Sequence, residues 1–386
     1  MSMANPSFWR LSAVSFIVTS GINLITVLPM MVGGLEEHYG FSRQSLGLFA
    51  SADTLGVCLC GVAMFFLLAR FPLRLLILTG LSGLFVLHFI SIFISLPGPL
   101  TFVRLLAGFF GGMAYVSTLA WFAKLPQPAH GYANYIVVYS FYSAVLLVLF
   151  PFIIHEGGVV AGWTVLTVLA GLAWVIAWRL SWSEAVATDS PQPEGQLNFT
   201  LILGMLFIGF VTFQAGNSSL YSFMERIGNE KNIEAFLNGL AISSSIGTGL
   251  IAGYLVPKLS LRMWSEHQVI LGLSIMLLSN LILLTAGEGF GVFLIAVALF
   301  GFGFNISLPN FLNLFARLDR SGRTLALGTV TNWLGQSIGP LLGAFVLGRR
   351  PYLTIVYPSA LFLIIALGSL IVIRRLEAKK TIPVRN

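Results

Sequence analysis

The chain has 386 residues, of which 57% are hydrophobic and only 9% are charged, and its formal net charge is +7. Soluble domains carry about 25% charged residues, and a water-soluble chain this apolar would expose large apolar patches and aggregate. The composition therefore excludes a soluble globular protein and indicates one that lies in a lipid bilayer. The basic residues are spread over short loops rather than gathered into a patch, so nucleic acid is not an expected partner.

Apolar stretches long enough to cross a bilayer recur along the whole chain. A membrane-spanning helix needs about 20 apolar residues, and the sequence contains twelve such segments. The loops between them are short and no alternating pattern is seen, so helices rather than a barrel should satisfy the backbone. We predict an all-α membrane protein with twelve transmembrane helices at 8–32, 45–68, 74–96, 100–123, 132–154, 162–181, 198–222, 236–256, 268–286, 290–315, 324–347 and 352–373.

A polar segment, residues 183–196, interrupts this pattern near the middle of the chain. It holds three acidic residues, two prolines and a glycine and has no apolar periodicity, a composition typical of a linker. We therefore predict an N-terminal six-helix bundle at 1–182, a cytoplasmic linker at 183–196 and a C-terminal six-helix bundle at 197–386.

The distribution of Lys and Arg predicts the orientation, because cytoplasmic loops carry an excess of both. With both termini inside, fifteen of these residues fall on the cytoplasmic side and five on the outer side, and Arg104 lies within a helix. This bias predicts that both termini and the linker are cytoplasmic.

Two local matches relate the halves of the chain. Residues 69–74 resemble residues 257–262 at an offset of 188, and residues 119–125 resemble residues 312–318 at an offset of 193. The second offset also places Gly108 on Gly301. Because the matches occur in the same order, they predict two six-helix repeats of like orientation.

Twelve spans in a 6+6 repeat around a polar loop resemble the major facilitator superfamily of transporters. The motif Arg-x-x-x-Gly-x-x-Gly of that family's fourth helix is present as Arg104, Gly108 and Gly111, with Gly112 beside it. The motif of the loop between helices 2 and 3 keeps two arginines, Arg70 and Arg74. It lacks the usual Gly, Asp and Gly, which puts its charge gate in doubt. The resemblance implies two bundles that rock about a central solute site.

A glycine motif of the family's antiporters lies in the opposite half here. The pattern Gly-x-x-x-Gly-Pro-x-x-Gly, which belongs in helix 5, occurs in predicted helix 11 as Gly335, Gly339, Pro340 and Gly343. We therefore infer no antiport from it, but we expect a bend and close helix packing there. These four residues and the three glycines of helix 4 are the candidates for a role in conformational change. For Gly108, Gly111 and Gly112 alone, ordinary helix packing is the favoured interpretation.

Two charged residues, Asp53 and Arg104, lie well inside predicted spans and at similar depth. A charge in the bilayer centre costs at least roughly 2.5–3.5 kcal/mol, so each needs a reason to be there. One hypothesis is proton coupling, in which Asp53 takes up and releases a proton and Arg104 controls its affinity. The alternatives are a permanent ion pair that holds the bundle together and an arginine that reaches the membrane surface.

Uncharged polar side chains form a second group at mid-span. An amide that faces lipid would lack hydrogen-bond partners, so these side chains should face a cavity or another helix. In the family, helices 1, 4, 7 and 10 line the central cavity, so the polar residues on these helices are favoured as solute contacts. For each residue the alternative is a hydrogen bond to another helix. The predicted solute contacts are Asn23, Tyr115, Tyr139, Gln214, Asn217, Asn305, Asn332 and Gln336.

We predict a secondary transporter that moves a small organic solute across the bacterial cytoplasmic membrane, driven by a proton gradient. The partners are the solute, protons and the lipid bilayer, and the protein is expected to be a monomer without metal or cofactor. The sequence shows no nucleotide-binding motif, metal-ligand spacing or nucleophile with a base, so an enzyme is not expected. The alternatives are an uncoupled facilitator, a drug or metabolite exporter and, less favoured, a non-transporting membrane sensor.

Overall fold

The computed structural model of the protein describes residues 7–182, 201–285, 287, 289–318 and 323–380. Within these ranges the chain forms α-helices and one 3-10 helix, Tyr352–Ile355, and no strand. The predicted linker, 183–196, lies outside the described residues. The helices are α1 (Phe8–Gly21), α2 (Asn23–Tyr39), α3 (Arg43–Arg70), α4 (Leu73–Ser91), α5 (Pro97–Ala123), α6 (Pro128–Arg179), α7 (Leu201–Ser222), α8 (Met224–Glu230), α9 (Ala235–Ser260), α10 (Ser265–Thr285), α11 (Phe290–Leu318), α12 (Arg323–Leu347) and α13 (Val356–Lys380).

The helices confirm the all-α membrane architecture. Nine of them, among the described residues, are long and apolar enough to cross a bilayer, and there are ten if α1 and α2 form one bent span. Helix α6 contains the predicted span at 132–154 and all but the last two residues of the one at 162–181. Its only interruption is Gly158, whose φ of 63° is a backbone conformation that glycine adopts readily. A total of twelve spans and the cytoplasmic termini stay predictions.

The first predicted span, 8–32, is not one continuous helix. It is divided at Ile22, which has non-helical backbone angles, and the two parts meet at 43°. The preceding residue, Gly21, packs directly on the α5 backbone, because a Cβ placed there would lie 2.8 Å from the Gly111 carbonyl oxygen. The break leaves Asn23 as the first residue of α2. Helix α2 then continues to Tyr39, seven residues beyond the predicted end.

The helices group into two compact units. One comprises Met1–Ser190 and Glu234–Ser243, and the other comprises Pro191–Ile233 and Ser244–Asn386. In the first unit α5 packs against α1, α3 and α4, and α6 covers α1, α2 and α4. In the second unit α7 packs against α12 and α13, and α10 packs along α11.

Both units contain the same close crossing of two helix backbones. A Cβ placed at Gly108 of α5 would lie 1.9 Å from the Asp53 carbonyl oxygen of α3, and one placed at Gly301 of α11 would lie 2.2 Å from the Ser245 carbonyl oxygen of α9. The crossing therefore relates α5 to α11 at the offset of 193 residues seen in the sequence, and α3 to α9 at 192. The sequence match of 69–74 with 257–262 has an offset of 188 residues. This differs from the structural offset of α3 and α9 by four residues, which is about one helical turn.

Candidate polar site

Arg104 is fully buried in the first unit. Its Nη1 donates to His88 Nδ1 at 2.9 Å, and its Nη2 donates to the Leu87 carbonyl oxygen at 2.9 Å and to Ser91 Oγ at 2.7 Å. All three acceptors lie in the last turn of α4, where the helix dipole is negative. The guanidinium is therefore neutralised in part by a helix C-terminus and is buried inside the first unit.

His88 connects Arg104 to the break in the first span. Its Nε2 lies 3.0 Å from Asn23 Oδ1, and its ring stacks on Trp163 with centroids 6.1 Å apart. The Arg104 guanidinium also lies 4.6 Å from the Trp163 ring centroid, in the range of a cation–π contact. We call Asn23, His88, Ser91, Arg104 and Trp163 the Arg104 cluster. It joins α2, α4, α5 and α6.

Asp53 lies beside this cluster but is not bonded to it. Its side chain is buried in α3, and its main chain packs on Gly108, one turn along α5 from Arg104. The two charges attract each other through space. Among residues 7–182, however, the Asp53 carboxylate makes no direct ion pair with Arg104. The two charges are therefore neighbours without a direct bond, and the hydrogen bonds of Arg104 all go to α4.

The predicted tyrosines belong to an aromatic group in the same unit. The Tyr115 ring of α5 lies 6.5 Å from that of Tyr135 in α6, and the Tyr135 ring lies 5.9 Å from that of Tyr139. All three side chains are half-buried. This arrangement presents rings and hydroxyl groups together, which is suited to a polar solute with an apolar face.

The predicted amides of the second unit divide into bonded and open ones. Gln214 Nε2 of α7 donates to Asn332 Oδ1 of α12. Asn305 Nδ2 of α11 donates to the Gly301 carbonyl oxygen of its own helix at 2.8 Å and to the Ser245 carbonyl oxygen of α9 at 3.3 Å. Asn217 and Gln336 are half-buried and make no side-chain hydrogen bond to another residue of the part that the structure describes. The first three thus contribute to helix contacts, and the last two keep their hydrogen-bonding groups open.

The glycine motif of α12 faces α7. A Cβ at Gly335 would lie 2.5 Å from the Val211 carbonyl oxygen, and one at Gly339 would lie 2.3 Å from the Ala215 carbonyl oxygen. Gly343 similarly leaves no room against Ile355. The glycines allow α12 and α7 to approach closely, as expected for small residues in membrane helices. In the first unit Gly111 packs on Gly21, and Gly112 packs on Val57.

Two cavities lined by described residues of the second unit lie away from these side chains. The larger, about 530 Å³, lies between the ends of α7, α10, α11 and α13 and includes Glu266 and Arg317, which form a salt bridge of 3.2 Å. The other, about 420 Å³, adjoins it at the α9–α10 loop. Neither is lined by any predicted solute-contact residue.

Sequence reasoning missed His88, Ser91 and Trp163. A signal existed for His88, because it is an ionisable residue near the middle of the predicted span 74–96, and such residues mark functional sites. Trp163 lies at the start of a predicted span, where tryptophan usually anchors a helix at the membrane interface. Its contact with Arg104 depends on the packing of α6 against α4 and α5 and has no local sequence signal.

Comparisons with known proteins agree with this architecture. The family model of the Major Facilitator Superfamily matches residues 11–340. The fold is similar to the crystal structure of the nucleoside transporter NupG, with a TM-score of 0.73 and 12% identity over 97% of this chain and 99% of that one. A mutant form of NupG gives a TM-score of 0.77 and 11% identity over 95% and 99%. The D-xylose-proton symporter gives 0.72 and 12% identity over 95% and 96%.

No curated protein matches the sequence. The family match covers most of the chain and agrees with the helices and with the motif at Arg104. The chain is therefore a multi-pass membrane transporter, not an enzyme, and it belongs to the major facilitator superfamily.

Proposed function

We propose that this transporter moves a small, uncharged, hydroxyl-bearing organic solute by alternating access, coupled to a proton gradient. The observation that carries the proposal is the break in the first span at Asn23. Transporters build solute sites near the bilayer midplane from discontinuous helices, and here the break adjoins the Arg104 cluster.

The chemistry of the side chains supports an uncharged solute. The predicted contacts are amides and tyrosines, and the two terminal nitrogens of Arg104 already bind three acceptors of α4. A phosphate or dicarboxylate site would need several free basic residues. The two solutes named for the structural neighbours, a nucleoside and D-xylose, are uncharged and rich in hydroxyl groups, and we extend that solute class to this chain.

Asp53 is the proposed proton carrier. It is a buried carboxylate inside a predicted span, and its attraction to Arg104 depends on the distance between α3 and α5. If that distance differs between the two transport states, the proton affinity of Asp53 differs as well. A ligand shifts a conformational equilibrium only when it binds the two states differently, and such a difference in proton affinity would provide the coupling.

The test uses purified protein in liposomes. A thermal-shift screen of nucleosides and pentoses identifies a solute, because a ligand of the native state raises its apparent stability. Accumulation driven by a pH gradient is then compared with counterflow, which needs no gradient. We expect Asp53→Asn to abolish accumulation while counterflow continues.

The matched control is Glu156→Gln, which neutralises an exposed carboxylate and should change neither activity. Undiminished accumulation by Asp53→Asn would overturn coupling at this residue. Wild-type flux that ignores the pH gradient would instead identify an uncoupled facilitator.

A further inference from the structure

The hydrogen bonds around His88 fix its protonation by chemistry alone. Arginine nitrogens have no lone pair and only donate, so His88 Nδ1, 2.9 Å from Arg104 Nη1, must be the acceptor. A histidine that accepts at Nδ1 is neutral and carries its proton on Nε2. Arg104 therefore selects one tautomer of His88.

This tautomer in turn orients the Asn23 amide. The His88 Nε2–H donates to Asn23, and only the amide oxygen can accept. The Asn23 NH2 group must then point the other way. Asn23 is 1% exposed, and this nitrogen makes no hydrogen bond of normal geometry to the residues that the structure describes. The buried Tyr142 hydroxyl, which also lacks such a bond, is the side-chain oxygen beside it. Such a group costs about 1–3 kcal/mol unless something binds it.

Other donors of the Arg104 cluster are left open in the same way. Arg104 Nε and Trp163 Nε1 are both buried and unpartnered in the described residues. Counted over its five residues, the cluster thus has more open donors than open acceptors at the point where the first span is broken, while the Asp53 carboxylate lies beside it without a hydrogen bond to it. That imbalance favours a ligand that brings acceptor oxygens.

We propose that His88 is a positioning residue of the solute site: it passes the orientation set by Arg104 to Asn23, which presents its NH2 group to an acceptor oxygen of the solute. This rests on the proposed function, in which Asn23 contacts the solute. It adds a specificity rule, namely that a hydroxyl or carbonyl oxygen must lie at this position. It also assigns Arg104 a role in solute recognition that is separate from proton coupling.

The first test needs no solute. Protein with 15N-labelled histidine in lipid nanodiscs is studied by NMR, and the His88 signals are assigned by their loss in His88→Gln. The neutral Nε2–H tautomer is expected in the wild type. Arg104→Met removes the donor to Nδ1, so a mixture of tautomers is expected there. An Nδ1–H tautomer in the wild type, or an unchanged spectrum in Arg104→Met, would overturn the proposal.

The second test measures affinity for the solute found in the nucleoside and pentose screen. Gln at position 88 has an acceptor for Arg104 and a donor for Asn23, whereas Met has neither. We expect His88→Met to weaken binding at least about tenfold, as for loss of a buried hydrogen bond, and His88→Gln to retain most of the affinity. Equal loss in both variants would reduce His88 to packing and overturn the proposal.

Asn23→Leu separates this proposal from the proposed function. If Asn23→Leu keeps wild-type affinity, Asn23 does not contact the solute, and both proposals fail at that residue even though the His88 tautomer is as expected. If Asn23→Leu and His88→Met lose affinity together while His88→Gln retains it, the relay from Arg104 to the solute is supported. Loss in Asn23→Leu alone supports the solute contact and overturns the role of His88.

Discussion

The two units share one backbone crossing but build different side-chain networks on it. In the first unit the crossing of α3 and α5 supports the buried, charged Arg104 cluster. At offsets of 192 to 196 residues the second unit has neutral or small residues at the same helix positions. The position of Asn23 corresponds to Gly216, that of His88 to Asn280, that of Trp163 to Ser359 and that of Arg104 to Val297.

The neutral residues also form a connected network. Asn280 Nδ2 donates to Ser359 Oγ at 3.3 Å, and Ser359 Oγ donates to the Gly216 carbonyl oxygen at 2.8 Å. These bonds join α10, α13 and α7, as the charged cluster joins α4, α6 and α2. Packing of this kind therefore does not require a charge, and the presence of Arg104 in one unit is better explained by function than by folding.

A second difference concerns size rather than charge. In the first unit a Cβ at Gly112 would lie 3.1 Å from the Val57 Cα, so the small residue is on α5. In the second unit Asn305 occupies the corresponding position of α11 and faces Gly249 of α9. The small residue is thus on α5 in the first unit and on α9 in the second, and the crossing is the same in both. This indicates that the crossing depends on the combined volume of the two facing side chains rather than on either residue alone.

The largest expected effect comes from moving the charge to the other unit. Val297→Arg places a guanidinium where Val297 is fully buried and where Leu283 stands in place of Ser91, so the acceptor set of α4 is incomplete there. An uncompensated charge in a membrane helix costs at least roughly 2.5–3.5 kcal/mol, so folded protein should be lost. Yield of monodisperse protein after detergent extraction measures this, with Val297→Met as the control. Normal yield from Val297→Arg would contradict the comparison.

Adding a methyl group at either crossing should have the next largest effect, and a similar one in both units. Gly108→Ala and Gly301→Ala each place a Cβ against backbone, and such overpacking costs about 1–3 kcal/mol. The apparent melting temperature in detergent is the measurement. Gly247→Ala, which meets nothing within 4 Å, is the control and should be neutral or slightly stabilising. A marked difference between the two crossings would show that they are not equivalent.

Placing the large side chain on α9 instead of α11 should lower stability by a smaller amount, and a second substitution should restore part of it. Gly249→Val crowds Asn305, whose amide oxygen would lie 3.1 Å from the new Cβ, and should lower stability by about 1–2 kcal/mol. Adding Asn305→Gly recreates the arrangement of the first unit and should restore part of the loss. A double-mutant cycle on melting temperatures measures the coupling. Strictly additive effects would argue against direct compensation between the two positions.

The smallest expected effect is in the neutral network. Ser359→Ala removes the bonds to Asn280 and Gly216 and should cost about 1 kcal/mol, with transport retained. A change in the Arg104 cluster of the first unit, His88→Met, should by contrast impair solute binding. If Ser359→Ala weakened solute binding as strongly, the second unit would share the function that we assign to the first.

The sequence predicted the parts of this structure that have a local signal. Helical spans follow from apolar length, and the repeat followed from the match that contains Gly108 and Gly301. The break at Ile22 was missed because the span was predicted from apolar length alone, although Ser20, Gly21 and Asn23 lie beside it. It also depends on the close approach of Gly21 to α5. The partners of Arg104 were missed for a similar reason: α4 and α5 must pack before Leu87, His88 and Ser91 can face one guanidinium. Depth along the predicted spans pointed to Asp53, which is near in space but not bonded.

The single non-helical residue in α6 has a mechanical consequence. Gly158 is all that separates the arm that carries Tyr135 and Tyr139 from the arm that carries Trp163. Because only this residue joins the two arms, a displacement of one arm should be transmitted to the other through rotation about the Gly158 backbone. A solute that pushes against the tyrosines would therefore also load the aromatic ring beneath the Arg104 guanidinium. In this way α6 connects the tyrosines proposed to contact the solute with the ring that packs on the buried charge.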